Sequence, residues 1–389
     1  MDLPQGVPPA QLLKVLILGA GNFGSCLADH LAEVDHTVYI WSREADVVEG
    51  LNKTHRNPKY LTDHTFLQSI TAIGPEFPDA EILNHVDVIL FAIPTQGLRE
   101  TLVKVRAGLN SKEQLPLFIF VNKGIEVETQ ELPLEIIADT CGVDVARVAT
   151  FVSGPSFAKE IVRRQPTTVS VASLSPEHAQ RTSDLFHQPW FRCYTNPDPV
   201  GVELAGALKN VYAIASGIAD GMGYENNTRA DTGLITRSLA EMTRVGTSYG
   251  ASPLTFLSLA GVGDLFLTCS STTSRNFTVG RRLGQGEDLD YIIKTLGSVA
   301  EGVTTSKALH IILEKLEVKA PIAEGVYAVL YGGRSAKEMA GELMSLPPLS
   351  EIDLPVHISK PVRALMKKLG IKEGDLSPRA SVLSTIGPD

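Results

Sequence analysis

The sequence predicts a doubly wound α/β domain over residues 1–195, an all-helical domain over 196–346 and a C-terminal extension of unassigned role over 347–389. Three observations lead there. In the first half, short β-branched runs alternate with helical stretches, the pattern of βαβ units around a mostly parallel sheet. The turn-rich Asn196-Pro197-Asp198-Pro199 then punctuates the chain. Beyond it, to about Leu343, Ala/Leu/Gly-rich helical patterns run on without a convincing strand series.

Element by element, Val15 to Leu18 is a short, unalternated apolar run before Gly19, as expected of a strand buried on both faces. Asn22 to Ala32 reads as a helix and Thr37 to Trp41 as a second strand. Val86–Ile93, Leu117–Val121, Thr150–Ser153 and Thr167–Ala172 supply further strands. A long helix starts near Val200, and the extension carries one basic amphipathic stretch, Lys360 to Lys368.

Composition narrows the function. Of 389 residues 43% are hydrophobic and 20% charged, ordinary globular chemistry that excludes wholesale disorder. A net charge of −9 argues against general binding to nucleic acid or an anionic membrane, so an anionic ligand would need a local basic pocket. Cys26, Cys141, Cys193 and Cys269 lie far apart with no C-x-x-C pair, which points to a reduced intracellular protein without a disulfide framework or metal site. The first dozen residues lack the apolar core of a signal peptide. The longest uncharged run, Val245–Gly263, is broken by Gly, Pro, Ser and Thr and suits a bilayer poorly. The expectation is a soluble cytoplasmic protein.

Gly19-Ala20-Gly21-Asn22-Phe23-Gly24 is a G-x-G-x-x-G turn directly after the first strand and opening a helix, a Rossmann-like dinucleotide fingerprint. Gly19 permits the tight turn, Gly21 lets a pyrophosphate approach the backbone, and Gly24 allows close helix–strand packing. At the end of the second strand, Ser42 and Arg43 suit a 2′-phosphate and slightly favour NADP, whereas Glu44 would serve NAD; dual use fits both.

The helical half holds two anomalies. Lys209 stands amid small and apolar residues in Leu204–Ala215, where desolvation lowers an ammonium pKa unless a carboxylate compensates. Such a lysine serves as a general acid/base near neutral pH; the plainer alternative is a snorkelling side chain with its tip in water. From Val245 to Ser274 the one charge is Asp264, which either caps a helix or pairs with a cation such as Lys209. Ser274-Arg275-Asn276 suits a phosphate, and Lys123, after the strand Leu117–Val121, falls at the sheet edge where ligands sit. Ser153-Gly154-Pro155-Ser156-Phe157-Ala158 repeats the strand-to-helix theme and either binds an anion or simply starts a helix.

On these segments the chain resembles the NAD(P)-dependent glycerol-3-phosphate dehydrogenases, in wording closer to the bacterial type. The likeness runs from about Lys14 to Leu343 through GAGNFG, IPTQ, NKGIE, SGPSFAKE, GVELAGALKNVYAIASGIADG, GVGDLFLTC, SRNFTVG and AEGVTTSK. It implies Lys209 as the catalytic lysine, with Lys123 and Asp264 in the catalytic network. It implies that Gly154, Ser156, Asn210, Thr268, Ser274, Arg275 and Asn276 surround the substrate together with those three residues. Asn22, Phe23, Arg43, Lys123, Ala158, Arg275, Val299 and Glu301 would line the cofactor beside the three glycines. The implied reaction interconverts sn-glycerol 3-phosphate and dihydroxyacetone phosphate with NAD or NADP, in a homodimer without metal. The extension beyond Leu346 has no counterpart in this pattern, and Asp231-Thr232-Gly233 replaces small apolar residues expected before Leu234. Two rivals stand beside this reading: a 3-hydroxyacid dehydrogenase gripping a carboxylate with Arg275, and a dinucleotide sensor without catalysis.

Overall fold

The computed structural model describes residues 11–109, 115–224, 233–297, 299–347 and 366–370. Among the described residues eight strands form one sheet: β1 (Lys14–Leu18), β2 (Thr37–Trp41), β3 (Thr71–Ile73), β4 (Val88–Phe91), β5 (Leu117–Phe120), β6 (Thr150–Ser153), β7 (Thr167–Ala172) and β8 (Phe191–Asn196). Their spatial order is β3-β2-β1-β4-β5-β6-β7-β8, parallel throughout except for the β6–β7 pair. The order reverses between β1 and β4, whose carboxyl ends, Leu18 and Phe91, lie side by side in register. Chains leave those two ends in opposite directions and open the crevice in which doubly wound sheets bind ligands.

The apolar runs become fully buried strands because both faces of the sheet are covered. On one face Val15, Ile17, Leu90 and Ile119 pack with Leu27 and Leu31 of the helix Asn22–Ala32. On the other, Leu16, Leu18, Phe91, Phe120 and Phe151 belong to a core that runs on into the helical half through Leu204 and Leu208. Stacked rings carry that face across the strands, with Phe91–Phe120 centroids 4.5 Å apart and Phe120–Phe151 5.4 Å apart. One continuous core therefore fixes the helices relative to the sheet edge.

Most of the expected elements stand where the periodicity placed them, the strands β2, β6 and β7 and the helix Asn22–Ala32 to the residue. Two strands lie outside the expectation. β3 has three residues, too few to show a period, and β8 at the sheet edge mixes Phe191 with exposed Arg192 and Tyr194. Asp231 and Thr232, and all of the extension except 347 and 366–370, lie outside the described residues.

Past Asn196 the described residues form helices around a central one, Pro199–Gly221. Asp198 starts it: one carboxylate oxygen accepts from Gly201 N at 2.8 Å, and the other from Ser252 N and the Thr255 hydroxyl at 2.9 and 2.6 Å. The helix is apolar nearly all round because helices Ile235–Ser248, Asp264–Ser270, Arg275–Gly284, Glu301–Leu316 and Pro321–Tyr331 pack around it. Even so, none of the described helices is long and apolar enough to cross a membrane. The tightest crossing is with Arg275–Gly284. A Cβ on Gly280 would lie 2.0 Å from Ile214 O, and one on Gly221 2.0 Å from Arg281 O. Only glycine lets the backbones touch there, and that contact sets Arg275 relative to Lys209.

Candidate active site

The glycine turn after β1 is shaped by three different constraints. Gly19 has φ +114°, and a Cβ there would lie 2.6 Å from Ala92 O. At Gly24 a Cβ would strike Gly19 O at 1.9 Å. Gly21 meets nothing within 4 Å and starts the helix Asn22–Ala32 without a side-chain cap, leaving the helix N-terminus approachable. An open backbone turn at a helix start, at the sheet's switch point, fits a dinucleotide pyrophosphate. Asn22 accepts from Leu61 N at 3.2 Å, and Phe23 is half-buried beside it. A residue that the sequence did not reveal supports the turn: buried Asn57 donates to Ala20 O at 2.9 Å and accepts from Tyr60 N at 3.0 Å. No local pattern marks an asparagine that acts 37 residues away.

At the end of β2 the two cofactor readings part. Glu44 is engaged by Lys59 at 2.8 Å. Arg43 is exposed and makes no hydrogen bond or ion pair among the described residues, and Ser42 is buried beneath it.

Three charges meet where the helices reach the sheet. Lys209 is 6% exposed, and its ammonium donates to Asp264 Oδ1 and to Thr268 Oγ1, each at 2.7 Å. Lys123 donates to Asp264 Oδ2 at 2.7 Å and to Gly154 O at 3.3 Å. Both plainer alternatives fail: Lys209 does not snorkel, and the Asp264 carboxylate caps no helix, since the helix Asp264–Ser270 begins at that residue behind Gly263. The approach to it turns at Gly261, where a Cβ would lie 2.2 Å from Phe256 O, and Gly263 packs on Pro155. One carboxylate facing two ammoniums leaves a buried net charge of +1. Burial and the neighbouring Lys123 bring Lys209 down to about 8 against the pull of Asp264. Burial pushes the Asp264 carboxyl up, but Lys123 and Lys209 together outweigh it and hold it below the ordinary aspartate range.

Around the triad runs an amide relay. Asn210 Nδ2 donates to Lys123 O at 3.0 Å, Asn276 Nδ2 donates to Asn210 Oδ1 at 2.9 Å, and Gly302 N donates to Asn276 Oδ1 at 2.9 Å. The relay begins at Lys123 and passes through the immediate neighbours of Lys209, Arg275 and Glu301, tying their elements into one frame. Ser274 is the N-cap of the helix Arg275–Gly284, accepting from Phe277 N at 3.3 Å. Arg275, next in sequence, is exposed at that helix start, where its charge acts on Glu301.

The remaining expected residues border the same space. Gly154, at φ +152°, brings its backbone so close to β7 that a Cβ would lie 2.9 Å from Val169 Cα. Ser156 donates to Gly154 O at 2.9 Å, and Ala158 opens the short helix Ala158–Ile161. Val299 is exposed. Glu301 opens the helix Glu301–Leu316 with one carboxylate oxygen buried and unpartnered among the described residues, and burial lifts its carboxyl to about 7 while Arg275 opposes the shift. The Thr95 hydroxyl is a second unpartnered buried atom at the same place: a Cβ on Gly124 would come 2.9 Å from both. Thr95 belongs to the IPTQ segment, but nothing in that segment alone marks its hydroxyl as orphaned.

Two family models, described as the N-terminus and the C-terminus of NAD-dependent glycerol-3-phosphate dehydrogenase, match residues 14–179 and 198–341. A glycerol-3-phosphate dehydrogenase (NAD(P)+) of Geobacillus kaustophilus is 42% identical over 87% of this chain and 96% of its own. One of Staphylococcus aureus is 41% identical over 87% of this chain and its full length. The crystal structure of glycerol-3-phosphate dehydrogenase from Coxiella burnetii superposes with a TM-score of 0.79 at 31% identity, covering 86% of this chain and 99% of that one. With both halves matched and relatives aligned along almost their whole length, the chain belongs to the NAD-dependent glycerol-3-phosphate dehydrogenase family.

Proposed function

We propose that the cleft between the sheet edge and the helical half interconverts dihydroxyacetone phosphate and sn-glycerol 3-phosphate with NAD(P)(H), Lys209 acting as general acid/base. The observation that carries this reading is the buried Lys209 ammonium, held at 2.7 Å by Asp264 and at 2.7 Å by Thr268. When bound, the nicotinamide supplies the hydride. The pyrophosphate lies on the turn at Gly21, which Gly19 and Gly24 shape, and Asn22, Phe23, Ala158, Val299 and Glu301 line the dinucleotide. Arg43, without a hydrogen bond or ion pair among the described residues while Glu44 is held by Lys59, takes a 2′-phosphate, so NADP is used beside NAD with a slight advantage.

In reduction, Lys209 Nζ gives a proton to the ketone oxygen as it gains charge, and the triad falls from +1 to neutral. In oxidation, neutral Lys209 takes the hydroxyl proton back. A lysine near 8 exchanges that proton at small cost. Asp264 stays ionised throughout and aims both ammoniums, while Lys123 polarises the carbonyl. Arg275, exposed at the helix start, grips the phosphate, with Ser156 and the Gly154 backbone closing the other side. Ser274, Asn210 and Asn276 shape the substrate pocket from beneath, their own polar groups being committed to the cap and the relay.

The division near residue 196 belongs to the same reading, with residues up to 195 for the dinucleotide and 196–346 for the substrate. So do a cytoplasmic setting, suited to four free cysteines, and a homodimer. The test is an assay of both reduced cofactors with dihydroxyacetone phosphate and with unphosphorylated dihydroxyacetone. Turnover should require the phosphate, and Arg275→Ala should raise KM for the phosphorylated substrate by about a hundredfold. Equal turnover of the two ketones overturns the reading.

A further inference from the structure

The family model ends at residue 341, and relatives aligned over 96% or more of their own length cover only 87% of this chain. Residues 366–370 lie beyond that match, yet they are seated on the dinucleotide domain. They form a helical turn with two faces. Met366 and Leu369 point inward, Leu369 completely buried, and both join the apolar cluster that contains Ile137, Cys141 and Val145. Lys367 and Lys368 stay exposed, and Lys368 pairs with Asp139 at the end of the helix Pro133–Cys141. Arg147, in the helix Val143–Val148, donates to the carbonyls that close the turn, Leu369 O at 2.7 Å and Gly370 O at 3.3 Å. Gly370 has φ +64°, and a Cβ there would come 2.9 Å from Arg147 Nη1.

We infer that the face made by helices Pro133–Cys141 and Val143–Val148 is a docking groove for a short basic amphipathic turn, and that its occupant is the chain's own segment 366–370. Each part of the groove reads one part of the segment. The apolar floor takes the i, i+3 pair, Asp139 selects a cation one residue before the buried leucine, and Arg147 caps the exposed carbonyls. Of the basic amphipathic stretch expected over Lys360 to Lys368, residues 366–368 are described, and the rest lies outside the described residues. The extension thereby ties the helical half, which it leaves after Met344, to the dinucleotide domain by a second connection. The groove is remote from the chemistry. Arg147 stands just before the amino end of β6, whereas Gly154 follows its carboxyl end.

The experiment compares the full-length protein with Leu369→Asp and Arg147→Met by hydrogen–deuterium exchange and limited trypsin digestion. With Leu369→Asp, exchange over residues 133–148 and cleavage after Lys367 and Lys368 should each accelerate roughly tenfold, while kcat and KM stay within about twofold. Arg147→Met leaves the apolar floor intact and should shift both rates in the same direction by about threefold. If Leu369→Asp disturbs exchange throughout the protein, Arg147→Met decides alone. Unchanged exchange and cleavage in Arg147→Met overturn the inference.

Discussion

The central helix Pro199–Gly221 buries a carboxyl, Glu203, and an ammonium, Lys209, less than two turns apart, and it treats them in opposite ways. Lys209 keeps its charge because Asp264 meets it, and the excess of a second lysine leaves its proton easy to move. Glu203 has no cation among the described residues. One of its oxygens accepts from Leu134 N at 3.0 Å, the other has no partner, and burial raises its carboxyl far above the ordinary range, with Glu135 and Asp198 pushing the same way. Burial thus drives the Glu203 carboxyl toward its neutral form where it braces the helix against Pro133–Cys141, whereas Lys209, met by Asp264, is the group that the proposed proton transfer uses. Burial alone does not mark a functional ionisable group. A buried charge with a partner and a reason to change protonation does.

The sharpest way to break that contrast is Lys209→Ala. Turnover should fall by about a thousandfold or more while reduced cofactor binds nearly as before, measured by steady-state kinetics and fluorescence titration. Unchanged turnover would remove Lys209 from the chemistry. Asp264→Asn should come next, with a loss of about a hundredfold in reduction at neutral pH, because two ammoniums then face each other without a carboxylate. The pH profiles carry the sign. In the parent, reduction needs protonated Lys209 and declines above about pH 8, and oxidation needs it neutral and rises through the same range. Removing the carboxylate lowers the lysine further, so both limbs should move to lower pH; a move to higher pH would mean that Asp264 does not hold the proton on Lys209.

How much of this was legible in the sequence divides along physical lines. Lys209 and Asp264 stood out because a charge inside an uncharged stretch is visible without coordinates. The glycine turn was legible because its three residues act on one local backbone. The relay was not: Asn210 and Asn276 looked like ligands, and their mutual bond spans 66 residues of chain. Asn57 and Thr95 escaped for the same reason, since the atoms they face, Ala20 O for Asn57 and the Glu301 carboxylate near Thr95, come from distant parts of the chain. Nothing local marks Glu203 as different from Lys209, because the helix Pro133–Cys141 that packs on it lies far away in sequence.

Arg43 offers a smaller test on the exposed side of the comparison. An exposed guanidinium without protein partners costs little to remove unless a ligand uses it. Arg43→Ala should weaken NADPH by about tenfold and NADH by less than twofold in parallel titrations. Equal losses would mean that Arg43 does not read a 2′-phosphate.

Glu203→Gln should have the smallest effect on turnover and the most informative one on stability. The amide keeps an oxygen for Leu134 N and mimics the neutral acid, so kcat should stay within about twofold. Below the ordinary glutamate pKa, folded and unfolded chains both hold the proton, and the parent and variant should melt alike. As pH rises past it, the unfolded chain releases the proton while the folded chain, its pKa raised, retains it. Folding of the parent is then increasingly penalised, and the glutamine escapes that penalty. The variant should gain a few degrees in Tm over the parent as pH rises past the ordinary glutamate pKa, with the gap widening steadily. A gap that stays flat would show that Glu203 is ionised in the folded protein, and the two buried groups of the helix would no longer differ in kind.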